Sequence, residues 1–219
     1  MQKTPFILFF LFAFLNFNAQ LNPDSIDIVR GKYGTPHIFA KTDKEVAYGL
    51  AWAHAEDDFK TIQETFLPSK YMMGRYKGKE GVQLDYISQL LKCEELVDRE
   101  IDNLSPEILR VVDGYVEGLK AFAEKFPNQV LVKKSFPMTR KEYLVGFNFI
   151  IHFFSDISKV LKDLYSNKIP LIQDSSLNNI GSNGFAFNKS KTKDDKTYIN
   201  INTHQPLEGP FSWYEAHLC

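Results

Sequence analysis

Ser182 and His204 are the pair of side chains in this sequence that could do chemistry together, His204 standing 22 positions after the serine. Ser182 follows Gly181 directly and opens a strand-like run, Gly184 to Asn188. That placement suits a chain that severs itself ahead of the serine and exposes a new amino terminus. An α-amine has an unperturbed pKa of about 7.7–8, so much of it is neutral near physiological pH. One residue then supplies a hydroxyl to attack a carbonyl and a base to take the hydroxyl's proton. Glycine at 181 tolerates unusual backbone angles and leaves the carbonyl open to that attack. By itself Gly-Ser-Asn is also a common turn tripeptide, and a lone histidine is also a structural one, so the surrounding strings must decide.

The elements around Ser182 read as a hairpin. Phe185 and Phe187 alternate with Ala186 and Asn188, Lys189 to Lys196 is a charged turn, and Tyr198, Ile199 and Ile201 follow. Upstream, Asp163 to Asn179 is polar and irregular with Pro170, as an excisable linker would be. Before it, Thr139 and Glu142 form a capping box for a helix running towards Leu164. The centre of that helix, Leu144 to Phe154, is apolar nearly all round and is expected to be buried on several sides. Ser105 with Pro106 starts a second helix, in which Ile108, Val112, Tyr115, Leu119, Phe122 and Phe126 recur at helical spacing until Pro127. Thr42 and Glu45 cap a third, carrying Val46, Leu50, Ala53 and Asp57. Ser25–Arg30 and His37–Ala40 read as two short strands around the Gly34-Thr35-Pro36 turn, with His37 a turn histidine. The stretch Tyr71 to Gly81, with three glycines among basic residues, reads as a loop.

Three strings carry a resemblance. Ile180 to Leu218, with Gly181-Ser182-Asn183, Asn202-Thr203-His204 and Tyr214-Glu215-Ala216-His217-Leu218, resembles the start of the β chain in the penicillin acylase family of N-terminal nucleophile hydrolases. Val29 to Ala40 and Tyr48 to Phe59 resemble the opening of that family's α chain. The family usually has proline where this chain has Thr203. The resemblance makes Ser182 the nucleophile and Gly181 the other side of the autoproteolytic bond. His204 falls where the cephalosporin-acylase branch, which groups with acyl-homoserine lactone acylases, has a histidine beside the nucleophile. Phe147 to Ser158 is similar to the helix lining the acyl pocket, which sets Ile150 and Phe154 against substrate; from the residues alone, core packing is an equal reading for both.

The resemblance implies an α+β architecture, an incomplete αββα N-terminal nucleophile fold with a mostly helical α chain and the first β-chain hairpin. It divides the chain into residues 1–19 (signal peptide), 20–165 (α-chain region), 166–181 (linker) and 182–219 (start of the β chain). It implies a heterodimer of α and β chains cut from one precursor, acting on the amide of an N-acyl small molecule without a cofactor. The calcium-holding glutamate of some members would fall near Val160, so no metal is expected. Family members are several times longer and place their oxyanion-hole asparagine beyond residue 219, so a fragment, inactive alone, is expected. The alternative is a non-catalytic remnant of the same fold.

Composition agrees with a globular chain and excludes some partners. Of 219 residues, 44% are hydrophobic and 24% charged, and 26 basic residues face 27 acidic ones. No basic block stands out, which argues against nucleic acid as a partner. Lys3 followed by the apolar run Phe6 to Leu15 and a polar stretch to Ala19 reads as a secretory signal, too short to span a membrane. Removing it leaves 25 basic against 27 acidic residues. A periplasmic or secreted protein is expected, with no membrane association after cleavage. Cys93 and Cys219 are too few for a disulfide framework. His54 and His217 read as structural, and Asp57 and Asp58 point to different helix faces, so a salt bridge suits Asp57 better than paired-carboxylate chemistry.

Overall fold

The structure, a computed structural model, describes residues 21–154 and 182–219. The proposed signal peptide, and the linker up to Gly181, lie outside the described residues. Helices dominate the first segment. They are α1 (Asp43–Phe66), α2 (Met73–Lys77), α3 (Lys79–Leu90), α4 (Cys93–Glu100), α5 (Pro106–Lys125) and α6 (Arg140–Ile151). Strands β1 (Asp27–Arg30) and β2 (Pro36–Phe39) pair antiparallel at one side of the helices, and β5 (His217–Leu218) adds to β2 in parallel. Strands β3 (Ser182–Phe187) and β4 (Tyr198–Thr203) form a separate antiparallel hairpin. Helix and strand are segregated, an α+β arrangement.

Local signals set most helix ends. The Ser105 hydroxyl accepts from the Ile108 amide, with Pro106 at the first helical position. Thr139 and Glu142 make the reciprocal box, at 3.2 Å for the hydroxyl and 2.7 Å for the carboxylate. At α1 only half a box forms. The Thr42 hydroxyl accepts from the Glu45 amide, while the Glu45 carboxylate turns to the hydroxyls of Thr42 and Ser25. Inside α1, Asp58 leaves the helical region (φ −152°, ψ 61°) and its carboxylate accepts from the Thr61 amide at 3.0 Å. It thereby caps the second half of a kinked helix.

The core sits between α1 and α5. Ala51, Ala55, Phe59, Ile62 and Phe66 from α1 meet Val112, Val116, Leu119, Phe122 and Ala123 from α5. The helices approach so closely that a Cβ on Gly114 would stand 2.0 Å from the Lys44 carbonyl oxygen, and one on Gly118 would stand 2.5 Å from that of Tyr48. A second cluster joins Ile87, Cys93, Val97, Val145 and Phe149. Burial lifts the Cys93 thiol to about 11, so it packs as a small apolar side chain.

Three expectations are corrected here. Tyr71 to Gly81 is not a loop but mostly the helices α2 and α3. Gly74 and Gly81 serve close packing, with a Cβ on Gly81 2.1 Å from the Met73 carbonyl oxygen, while Gly78, at φ 61°, supplies the break between α2 and α3. The first amides of α2 donate to the carboxylate of Asp85, at 3.0 Å from Met73 and 2.9 Å from Gly74. That cap comes from a residue a dozen positions downstream, where no local pattern reveals it. Helix α6 buries Val145, Gly146 and Phe149 but leaves Phe147 and Ile151 about half exposed, so it is not covered on several sides among the described residues. His37 lies inside β2 rather than in the turn.

Ala at position 114 would gain roughly 1 kcal/mol in helix propensity over glycine. The 2.0 Å approach to a backbone carbonyl, which cannot swing aside, outweighs that gain. Gly114→Ala is expected to lower stability by about 1–3 kcal/mol net. Urea unfolding followed at 222 nm should show a lower midpoint at unchanged slope; an unchanged midpoint would mean the two helices can separate without cost.

Candidate functional site

The hairpin sets Ser182 and His204 at the same end of one ribbon. Its register pairs Ser182 with Thr203 and Phe187 with Tyr198. His204 is therefore the first residue beyond the strand partner of Ser182, at the same end of the ribbon, although 22 positions separate the two in sequence. The side-chain amide of Asn202 donates to Nε2 of His204 at 2.9 Å. Accepting there leaves the ring proton on Nδ1. The Ser182 side is exposed, with the main chain of β3 extended from its first residue. Gly181 and the side chain of Phe154 lie outside the described residues. Ile150 is half-buried on α6 against the cluster around Phe149, Val145 and Ile87.

A second polar constellation joins pieces that the sequence keeps far apart. Asp57 on α1 accepts through Oδ2 from Arg30 of β1 at 2.6 Å and from the Tyr214 hydroxyl at 2.6 Å. Arg30 also donates to Glu56 at 3.1 Å and to the main-chain oxygens of Gly34 and Ala53 at 3.0 and 3.2 Å. Beneath it the His54 ring stacks on Tyr214 at 4.3 Å, and its Nδ1 shares a 2.9 Å hydrogen bond with the Tyr115 hydroxyl of α5. Partial burial works against ionising Asp57, but the bonds from Arg30 and Tyr214 outweigh it and hold the carboxyl below its usual range. Burial, and then the Asp57 carboxylate, push the Tyr214 phenol far up, so it remains a donor. A cleft of about 600 Å³ opens above this group, lined by Tyr33, Thr35, Glu56 and Glu215 as well.

The salt bridge read for Asp57 is therefore present, with Arg30 as its partner. Sequence gave no sign of that partner 27 residues away, nor that Tyr214 would complete the group. His217 lies in β5, its Nδ1 2.9 Å from Nδ1 of His37 and its ring 3.4 Å from the Cys219 sulfur. Among the described residues, no three His, Cys, Asp or Glu side chains gather where they could hold a metal ion.

A family model described as penicillin amidase matches residues 25–219, nearly all of the chain after its apolar amino-terminal run. The chain belongs to the penicillin amidase family. Its relatives include penicillin G acylase of Escherichia coli, 27% identical over 130 residues that cover 57% of this chain and 15% of that protein. The acyl-homoserine lactone acylase PvdQ of Pseudomonas fluorescens (strain Pf0-1) is 22% identical over 259 aligned positions, covering 99% of this chain and 32% of that protein. The chain thus spans no more than a third of these relatives' length. Among solved structures, a thermostable penicillin G acylase from Alcaligenes faecalis superimposes with a TM-score of 0.50 at 18% identity, covering 67% of this chain and 85% of that one. That likeness speaks for the fold of this penicillin amidase family member.

Burial pushes the His54 imidazole below its ordinary value, with the nearby carboxylates of Asp58 and Asp57 pulling the other way. The folded protein thus favours neutral His54. Its contribution is complete above the ordinary histidine pKa of about 6.5 and shrinks as pH falls below it, because the unfolded chain then binds the proton more readily. The melting temperature is expected to drop between about pH 7.5 and pH 5.5, and His54→Gln is expected to flatten that slope. Calorimetry across the range checks this; equal slopes for both proteins would remove His54 from the account.

Proposed function

We propose that this chain is part of an exported acyl-transfer hydrolase precursor in which Ser182 becomes the terminal nucleophile. The observation that carries the reading is the strand register, which sets Ser182 opposite Thr203 and so brings His204 to the nucleophile's end of the hairpin. In the precursor, Ser182 Oγ attacks the Gly181 carbonyl carbon. The peptide C–N bond breaks, an ester forms on Oγ, and the freed nitrogen takes the proton. Water then cleaves the ester and leaves a carboxylate on Gly181 and an α-amine on Ser182.

In the mature protein the same hydroxyl attacks the carbonyl of an N-acyl compound. The α-amine takes its proton and passes it to the departing amine, and water resolves the acyl-enzyme. His204, with Nε2 occupied by Asn202, is suited to orient the new terminus rather than to carry the proton. Ile150 and Phe154 are the proposed contacts of the acyl chain, and no cofactor is needed for this chemistry. The substrate class follows from relatives whose names are penicillin G acylase and acyl-homoserine lactone acylase. The two chains would remain together as a heterodimer in the periplasm or outside the cell.

The αββα arrangement belongs to this proposal and has physical support in the hairpin. Phe185, Phe187 and Tyr198 lie on one face, Ile199 and Ile201 on the other, and all five are exposed. A two-stranded ribbon is marginal by itself, and apolar side chains on both faces suit a strand pair inside a sheet covered by layers on each side.

Comparing the full-length precursor, wild type against Ser182→Ala, on a denaturing gel tests the reading. Wild type is expected to give two chains, the heavier starting Ser-Asn-Gly-Phe by amino-terminal sequencing, and Ser182→Ala a single chain without hydrolase activity. Two chains from Ser182→Ala would end the proposal, and an intact, non-hydrolysing wild type would favour a binding remnant of the fold.

A further inference from the structure

The hairpin that bears Ser182 and the helical region are fastened to each other in an unusual way. Every residue of β3 and β4 is exposed, so the ribbon does not rest on the helices. The segment after His204, in contrast, is pinned to them. Tyr214, ten residues past His204, lies on the ring of His54 and donates to Asp57. We propose that the Arg30–Asp57–Tyr214 clasp, seated on His54, is a positioning device that holds the Ser182–His204 end of the hairpin in its working place. This rests on the reading of Ser182 given above.

The geometry is that of a fixed acceptor. Arg30 spends its donors on Asp57, Glu56, Gly34 and Ala53, which leaves it no freedom to turn away. Asp57 offers one oxygen to both Arg30 and Tyr214, so moving either partner disturbs the other. His54 cannot rotate from under the phenol without losing Tyr115. Another attachment of this segment, β5, pairs through His217 and Leu218, with the Cys219 amide donating to the Ile38 carbonyl at 2.9 Å and its carbonyl accepting from the Ala40 amide at 3.3 Å. Between clasp and His204 the chain carries Pro206 and Pro210, which shorten its slack.

The ion pair is partly exposed, with about a third of the Arg30 side chain and two fifths of that of Asp57 open to solvent. Pairs of that kind add little to global stability because water and salt screen them. Loss of the clasp should therefore be felt where it points, in the tethered segment, and not throughout the fold.

Hydrogen exchange on the full chain carrying Ser182→Ala, which stays in one piece under either fate of the cleavage reading, tests this directly. Adding Tyr214→Phe or Asp57→Asn should raise exchange over residues 198–219 about fivefold or more, and Tyr214→Ala, which also removes the stacking, should raise it further. Amides of α5 should keep their protection. Unchanged exchange at 198–219, or a rise shared equally by α5, overturns the clasp. With Ser182 present, the same substitutions should slow appearance of the Ser182 terminus about tenfold, and Asp57→Glu, which keeps an acceptor, should recover about half of the lost rate. Cleavage at the wild-type rate in Tyr214→Ala overturns the positioning role. Should wild type itself fail to cleave, the Ser182 reading falls, and the exchange measurement still decides the clasp.

Discussion

The close crossing of α1 and α5 is the constraint on which the remaining geometry depends. Two glycines one turn apart, Gly114 and Gly118, let α5 lie against the carbonyls of Lys44 and Tyr48, and the alanines of α1 fill the rest of the seam. At that distance each added methyl is felt, because interiors are packed to crystal-like density. The crossing fixes the rotation of both helices about their axes. Glu56 and Asp57 then project from α1 to Arg30 of β1, and Tyr115 from α5 reaches His54. A slip of one residue along the seam would part Tyr115 from His54.

The hairpin obeys a different constraint. No core grips it; its form comes from register, with side chains alternating between two apolar faces. Register sets His204 one residue beyond the strand partner of Ser182, at the same end of the ribbon. The chemistry proposed for Ser182 is accordingly local to one end of a ribbon, while the ribbon's tie to the helices is remote from it. The two are joined through a segment whose anchors, Tyr214 and β5, meet side chains and main chain 157 and 180 residues earlier.

Charge distribution follows the same division. The tightly paired groups, Arg30 with Asp57, Arg140 with Asp113, Lys70 with Glu142, tie together elements far apart in sequence. The hairpin turn holds its own charges locally, with Tyr198 donating to Asp194 and Asn188 accepting from the Ser190 amide. Ion pairs of the first kind specify which surfaces meet more than they stabilise them.

What the sequence determined by itself was whatever depends on neighbours in the chain. Ser105-Pro106 and Thr139 with Glu142 start their helices because caps act within one turn, and the alternation around Phe185 and Ile199 produces a ribbon because strand side chains repeat every two residues. The Ser182 and His204 strings were legible for the same reason, and so was the family. Tertiary structure decided the rest. Tyr71 to Gly81 looked like a loop because glycine reads as a breaker, yet there Gly81 admits a neighbouring helix, and the cap that completes α2 comes from Asp85. Asp57 declared a need for a cation, but Arg30 and Tyr214 became its partners only once β1 and the end of the chain were brought against α1. Contacts between residues so far apart leave no periodic trace, because the chain between them does not fix the distance; the packing of the helices does.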